Sequence, residues 1–210
     1  MWRRAFVCLL AGWLSTAGFA WATEFGDIDL SVYALGSWPR DRGIFDQGST
    51  VDASIKQSYG AGIRIGLFPN FTNRFLGMEI DSFGHGGALS FPHQSNGQND
   101  GTNRSNLLFL NTMLNLVLRY PGETVRPYIG IGAGWSHAML LNPNIIGRND
   151  KDFDAARALG WQYLAGLQVT LTPKVFLFGE YRYFSANYHW AGLALDFRSH
   201  YGAVGAGLRF

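Results

Sequence analysis

The sequence predicts an all-β chain, an eight-stranded antiparallel up-and-down transmembrane β-barrel. Three observations carry this. Eight segments alternate apolar with polar or small residues at a period of two, the connections between them alternate short and long, and aromatic side chains gather at two strand levels. No apolar run after Ala22 approaches the roughly 20 residues of a spanning helix, so apolar surface is distributed by alternation instead.

Residues 1–22 read as a secretory signal peptide. Arg3 and Arg4 form its positive region, Ala5 to Phe19 its apolar stretch, and Ala20-Trp21-Ala22 a small-x-small cleavage site. The mature chain, 23–210, is expected to be a single barrel domain. Cys8, the one cysteine, leaves with the peptide, so disulfides, thiolate catalysis and cysteine-bound metals are excluded. Losing Arg3 and Arg4 lowers Lys+Arg from 17 to 15, which equals the 15 Asp+Glu. A neutral chain has no basic face for nucleic acid. The 27 glycines and 15% aromatic residues suit short strands and tight turns.

The first segment, about 27–38, sets Ile28, Leu30, Val32 and Ala34 against Asp27, Asp29, Ser31 and Tyr33. The second, 58–68, turns Tyr59, Ala61, Ile63, Ile65 and Leu67 outward and Arg64 inward. The third, 75–83, opposes Leu76, Met78 and Ile80 to Gly77, Glu79 and Asp81. The fourth, 107–120, opposes Leu108, Leu110, Leu114, Leu116 and Leu118 to Asn111, Asn115 and Arg119. In the fifth, 127–139, Ile129, Ile131, Ala133 and Trp135 face out, and Gly130, Gly132 and Gly134 leave room inside. The sixth, 159–171, exposes Trp161, Tyr163, Leu167 and Val169, with Gln162, Gly166 and Gln168 inward. The seventh, 175–184, shows Leu177, Tyr181 and Tyr183 outward and Glu180 and Arg182 inward. The eighth alternates Gly202, Val204, Ala206, Leu208 and Phe210 with Tyr201, Ala203, Gly205, Gly207 and Arg209.

Short turns follow the second, fourth and sixth segments, at Pro69–Asn73, Pro121–Glu123 and Thr172–Lys174. Longer polar loops are expected at 39–57, 84–106, 140–158 and 185–196. Short periplasmic turns and long extracellular loops are the asymmetry of outer-membrane barrels. Trp38, Tyr59, Trp135, Trp161 and Tyr183 fall at loop-proximal ends, while Tyr120 and Phe210 lie at turn-proximal ends, giving two interfacial girdles.

The run Leu118-Arg119-Tyr120-Pro121-Gly122-Glu123, then Arg126-Pro127-Tyr128-Ile129-Gly130-Ile131-Gly132-Ala133-Gly134, resembles the eight-stranded outer-membrane β-barrel family that includes the membrane domain of OmpA. The closing segment, with Ala206, Leu208 and a final Phe210, resembles the assembly signal of such barrels. The resemblance implies residence in the outer membrane of a Gram-negative bacterium. The partners it implies are outer-membrane lipid and lipopolysaccharide, together with barrel assembly machinery and periplasmic chaperones during biogenesis; a monomer is expected. It departs from OmpA in stopping at the barrel, so cell-wall anchoring does not carry over.

Two readings of the interior stand open. Inward Arg64, Glu79, Asp81, Arg119, Glu180, Arg182 and Arg209 form a charge cluster that must pair or stay hydrated, because isolated burial costs several kcal/mol. Eight strands enclose a space that side chains just fill, which favours an ion-paired plug with a structural or surface-interacting role. The alternative is a narrow channel for small or hydrophobic solutes, resembling OmpW-type barrels. A third, enzymatic reading starts from His93-Gln94-Ser95-Asn96, which resembles the catalytic segment of barrel enzymes that deacylate lipid A. That family carries the motif on a lipid-facing strand near the C-terminus, whereas here it falls in an expected polar loop. The preferred expectation is no enzyme, no catalytic residue and no cofactor.

His85, His93, His137, His189 and His200 show no metal-ligand spacing, and His137 and His200 are expected near the outer headgroups. Arg148, Asp150, Lys151, Asp152, Asp154 and Arg157 in the third long loop either engage lipopolysaccharide phosphates or form a solvated polar face.

Overall fold

The computed structural model describes residues 25–40, 42–46, 49–95, 98–144, 153–190 and 193–210. The expected signal peptide lies outside them. The strand segments are β1 (Gly26–Pro39), β2 (Arg42–Asp46), β3 (Ser49–Ile55), β4 (Ser58–Pro69), β5 (Leu76–Ser95), β6 (Gln98–Arg119), β7 (Val125–Asn144), β8 (Phe153–Thr172), β9 (Val175–Trp190) and β10 (Leu193–Arg209). No helix among the described residues is long and apolar enough to cross a membrane.

All pairings are antiparallel, and β1 pairs with β4 on one side and β10 on the other, which closes the sheet. Ile28 N–H donates to Phe210 O at 3.1 Å and Phe210 N–H returns to Ile28 O at 2.9 Å. Closure leaves no unpaired edge in lipid, where each orphaned backbone group would cost several kcal/mol. β2 continues along β10 where β1 stops, and β3 continues along β5 where β4 begins. Arg40 N–H to Arg198 O, 2.9 Å, and Lys56 N–H to Ala88 O, 3.1 Å, carry the ladder across the two breaks. The ten segments therefore make eight staves, in the ring order β1, β4, β5, β6, β7, β8, β9, β10.

The turn between β4 and β5 is a single 3-10 turn, Asn70–Thr72. Thr72 Oγ1 donates to the carbonyls of Pro69 and Leu76, both at 2.9 Å. Asn73 and Arg74 then reverse the chain with φ of 52° and 60°, a left-handed conformation that costs Arg74 strain.

The four expected long loops are corrected by the structure. Their described residues continue the staves: β5 runs to Ser95 and β6 starts at Gln98, for example, and 39–57 holds β2 and β3. The physical reason is a reversal of polarity at constant parity. Toward the short turns, the inward positions carry the charged and amide side chains, with Phe68, Phe176 and Phe178 among them, and the outward ones are apolar. Past Trp38 and Trp135, inward Leu89, Phe91, Leu107, Phe109, Tyr188 and Phe197 are buried, while outward Lys56, Thr102, Arg104, Asn106 and Asn187 are exposed. A polar outward face is what water requires and lipid forbids, so the composition looked like loop although the pleat never stops.

These inward groups form an aromatic crown above the membrane level. Phe109 and Phe197 stack at 4.4 Å, His85 stacks on Phe109 at 4.8 Å, and His85 Nε2 lies 2.8 Å from Tyr201 Oη. Each buried ring contributes about 1.5–3 kcal/mol.

Candidate functional site: the barrel interior and its outer rim

Alternation turns every second residue of each stave into the bore, and the charged ones meet there in two layers. The central layer joins Arg64 on β4 and Arg182 on β9 to Glu79 and Asp81 on β5 and Glu180 on β9. Arg182 Nη1 lies 2.7 Å from Asp81 Oδ2, and Arg64 Nη2 lies 2.8 Å from Glu180 Oε1 and 3.6 Å from Asp81 Oδ2. Arg64 Nε lies 3.5 Å from Glu79 Oε2, and Arg182 Nε pairs with Glu180 Oε1. Two phenols complete the layer. Tyr33 Oη donates to Asp81 Oδ1 at 2.5 Å and Tyr128 Oη donates to Glu180 Oε2 at 2.8 Å.

Glycines set those phenols. The Tyr33 ring lies over Gly62, where a Cβ would stand 2.3 Å from ring atoms, and Tyr128 lies over Gly166, where it would stand 2.5 Å away. A side chain at either glycine displaces the ring and, with it, the hydroxyl from its carboxylate.

The basal layer lies toward the short turns. Arg119 on β6 donates to Asp29 Oδ2 at 2.6 Å and to Asp27 Oδ2 at 2.9 Å, with its guanidinium 3.4 Å from the Phe68 ring centroid. Arg209 Nε donates to Asp29 Oδ1 at 2.8 Å and Nη2 to Asp29 Oδ2 at 2.9 Å. Arg126 and, from the exposed rim, Arg74 each reach Asp27 at 3.2 Å. Between the layers remains a cavity of about 20 Å³ lined by Asp29, Arg64, Glu79, Arg119, Phe176 and Phe178. That is room for about one water. The central layer sets three carboxylates against two guanidiniums, and the basal layer sets Asp27 and Asp29 against Arg119, Arg126 and Arg209, so each layer offsets the other's charge.

All seven charge-cluster residues expected from sequence line this bore. The partnership of Arg64 with Glu79 and of Arg209 with Asp29 follows from neighbouring staves. The spans across the bore, Arg182 to Asp81 and Arg119 to Asp29, were not legible, and neither were Tyr33, Tyr128 and Arg126 as partners. The one signal was a glycine opposite each tyrosine in register: Tyr33 against Gly62 and Tyr128 against Gly166.

On the outer surface Trp38, Trp135 and Trp161 are exposed at the loop-proximal level, and Tyr120 and Phe210 at the turn-proximal one. Leu208 and Ala206 face outward on β10, in register with Leu30 and Val32. Tyr183 differs: it points outward but is only 8% exposed. Tyr163 stacks on it at 5.0 Å, and Trp161 and His200 pack at 5.7 and 5.2 Å, because β8 and β10 bring Tyr163 and His200 into its register. His200 accepts from Arg40 Nε at 2.7 Å and meets Tyr181 Oη at 2.5 Å. Arg157, expected in a loop, stands on β8 with its guanidinium 4.8 Å from the Trp135 ring centroid. Residues 145–152 of that expected loop lie outside the described residues.

His93 and Ser95 fall on the last turns of the pleat of β5 rather than in a loop, beside a register irregularity between Pro92 and Gln94. Their side chains lie outside the described residues, as do residues 96–97. No group of three metal-ligating side chains occurs among the described residues.

Comparison with solved structures finds similar small barrels, among them the following two. Neisserial surface protein A matches at 14% identity with a TM-score of 0.56, over 88% of this chain and 99% of that one. OprG from Pseudomonas aeruginosa matches at 16% identity with a TM-score of 0.59, over 89% and 97%. At these identities the likeness is one of fold. No curated protein sequence matches the chain. The sequence profile of the outer membrane protein beta-barrel domain matches residues 6–210. A closed eight-stave sheet, a lipid-ready outer band and that match together place the chain in the outer membrane protein β-barrel family, resident in a Gram-negative outer membrane.

Proposed function

We propose that this barrel is closed to solutes and non-catalytic, a structural element whose interactions take place at its outward and extracellular surfaces. One observation carries the reading: five carboxylates and five guanidiniums pair in two layers across the bore, with about 20 Å³ between them. Opening a path means unpairing buried charges, at about 3–5 kcal/mol for each partner stranded. The aromatic crown stands above both layers and adds a second, apolar obstruction. Liposome swelling tests the reading. Vesicles carrying the refolded protein should swell in a pentose no faster than protein-free vesicles; porin-like swelling would contradict it.

A further inference from the structure

We propose that the outer face of β5–β8 is a lipopolysaccharide seat, taking one acyl chain in a groove over Ala133 and a phosphate at Arg157. The groove has a volume of about 570 Å³, with Ala133 as its floor and Met78, Leu114, Ile131, Trp161 and Tyr163 around it. Ala133 is in register with Trp161 on β8 and Leu114 on β6, so a methyl stands between two large side chains and leaves the depression. Its walls are apolar and face lipid, which suits a hydrocarbon chain and nothing charged.

Two residues further out on β7, roughly 7 Å along the strand, stands Trp135, and on β8 Arg157 is held over its ring. Among the described residues Arg157 pairs with no carboxylate, whereas the Arg198 side chain on β10 is bound to Asp196 at 3.1 Å. An arginine fixed over an aromatic ring, at the level where the apolar face ends, offers a fork of N–H donors to a phosphate. Trp161 and Tyr163, four and six residues from Arg157 toward the short-turn end of β8, belong to the wall of the groove itself. Short turns mark the periplasmic end, so this girdle lies in the outer leaflet, where the phosphorylated acyl glycolipid resides. A chain groove with an arginine four residues further out on β8, roughly 13 Å along the strand, matches the acyl chain and phosphate of one molecule.

The test is native mass spectrometry of the detergent-refolded protein titrated with purified bisphosphorylated lipid A, dephosphorylated lipid A and phosphatidylglycerol. Wild type should retain one lipid A with about tenfold preference over each of the other two lipids. Arg157→Gln should lower lipid A affinity about tenfold, and Ala133→Leu, which fills the groove, should do the same. Lys56→Gln, elsewhere on the outer rim, should bind as wild type. All three positions are on the outer surface, and heat-dependent gel mobility verifies that each variant is folded. Wild-type binding by either Arg157→Gln or Ala133→Leu, or equal retention of phosphatidylglycerol, overturns the proposal. Neither readout depends on whether the bore conducts, so failure here and failure of the closed-barrel reading are distinguishable.

Discussion

Arg182 on β9 places its Nη1 2.7 Å from Oδ2 of Asp81 on β5, four staves away in a ring of eight, so this pair spans the full bore. Arg182 and Asp81 are 1% and 0% exposed at their side chains. Asp81 also accepts from Tyr33, which stands two staves from it. A barrel closed by its backbone is thus closed a second time by its side chains.

Stranding one partner of that pair is expected to be expensive. Arg182→Met or Asp81→Leu alone should destabilise the refolded protein by about 3–5 kcal/mol, because each leaves a buried group uncompensated. The double variant Arg182→Met, Asp81→Leu should recover much of the loss. Urea unfolding in lipid vesicles, read as a double-mutant cycle, measures the coupling; additive losses would refute it.

The glycine beneath Tyr33 has a matched control. Gly62→Ala forces the ring and its hydroxyl away from Asp81 and should cost about 1–3 kcal/mol through overpacking. Gly179→Ala, where a Cβ meets nothing within 4 Å, should cost at most about 0.5 kcal/mol. Equal destabilisation of the two variants would show that Tyr33 is not seated by Gly62.

Polarity reverses at the outer girdle, and arginine scanning locates the reversal. Ile131→Arg, on a lipid-facing position 66% exposed, should cost about 2–4 kcal/mol. Asn106→Arg, outward on β6 above the girdle, should cost under about 0.5 kcal/mol. Similar penalties at both sites would place the membrane boundary higher than Trp135.

The crown is expected to loosen independently of the membrane part. Phe197→Ala removes a ring that stacks on Phe109 at 4.4 Å and should cost about 3–5 kcal/mol. In proteoliposomes this should raise protease cleavage of the outer strand ends while the membrane-embedded core stays protected. Unchanged cleavage would mean that the crown does not hold those ends.

Much of this architecture is legible in the chain because a membrane barrel writes its geometry at a period of two. Ile63, Ile65 and Leu67 alternating with Arg64, Gly66 and Phe68 fix which residues face lipid, and the Asp29–Arg209 neighbours follow from closure alone. The crown was misread because Lys56, Arg104 and Asn106 have the composition of a loop, although they are the outward half of continuing strands whose inward half is Leu107 and Phe109. Pairing across the bore was not legible at all. Contacts such as Arg182 to Asp81 or Arg119 to Asp29 depend on strand stagger and side-chain reach around a closed ring, and no local pattern encodes either. Tyr183 illustrates a smaller version of the same limit: alternation gives its outward direction, but its burial comes from Tyr163 and His200 on neighbouring staves.

Single-channel recording in planar bilayers, with wild type beside Glu180→Ala, Arg182→Ala, tests the closed bore most directly. The two layers of paired charge predict a silent wild type across the usual range of voltage and salt. Discrete wild-type openings whose size shifts in the variant would contradict it, and would make Glu180 and Arg182 part of a conducting constriction.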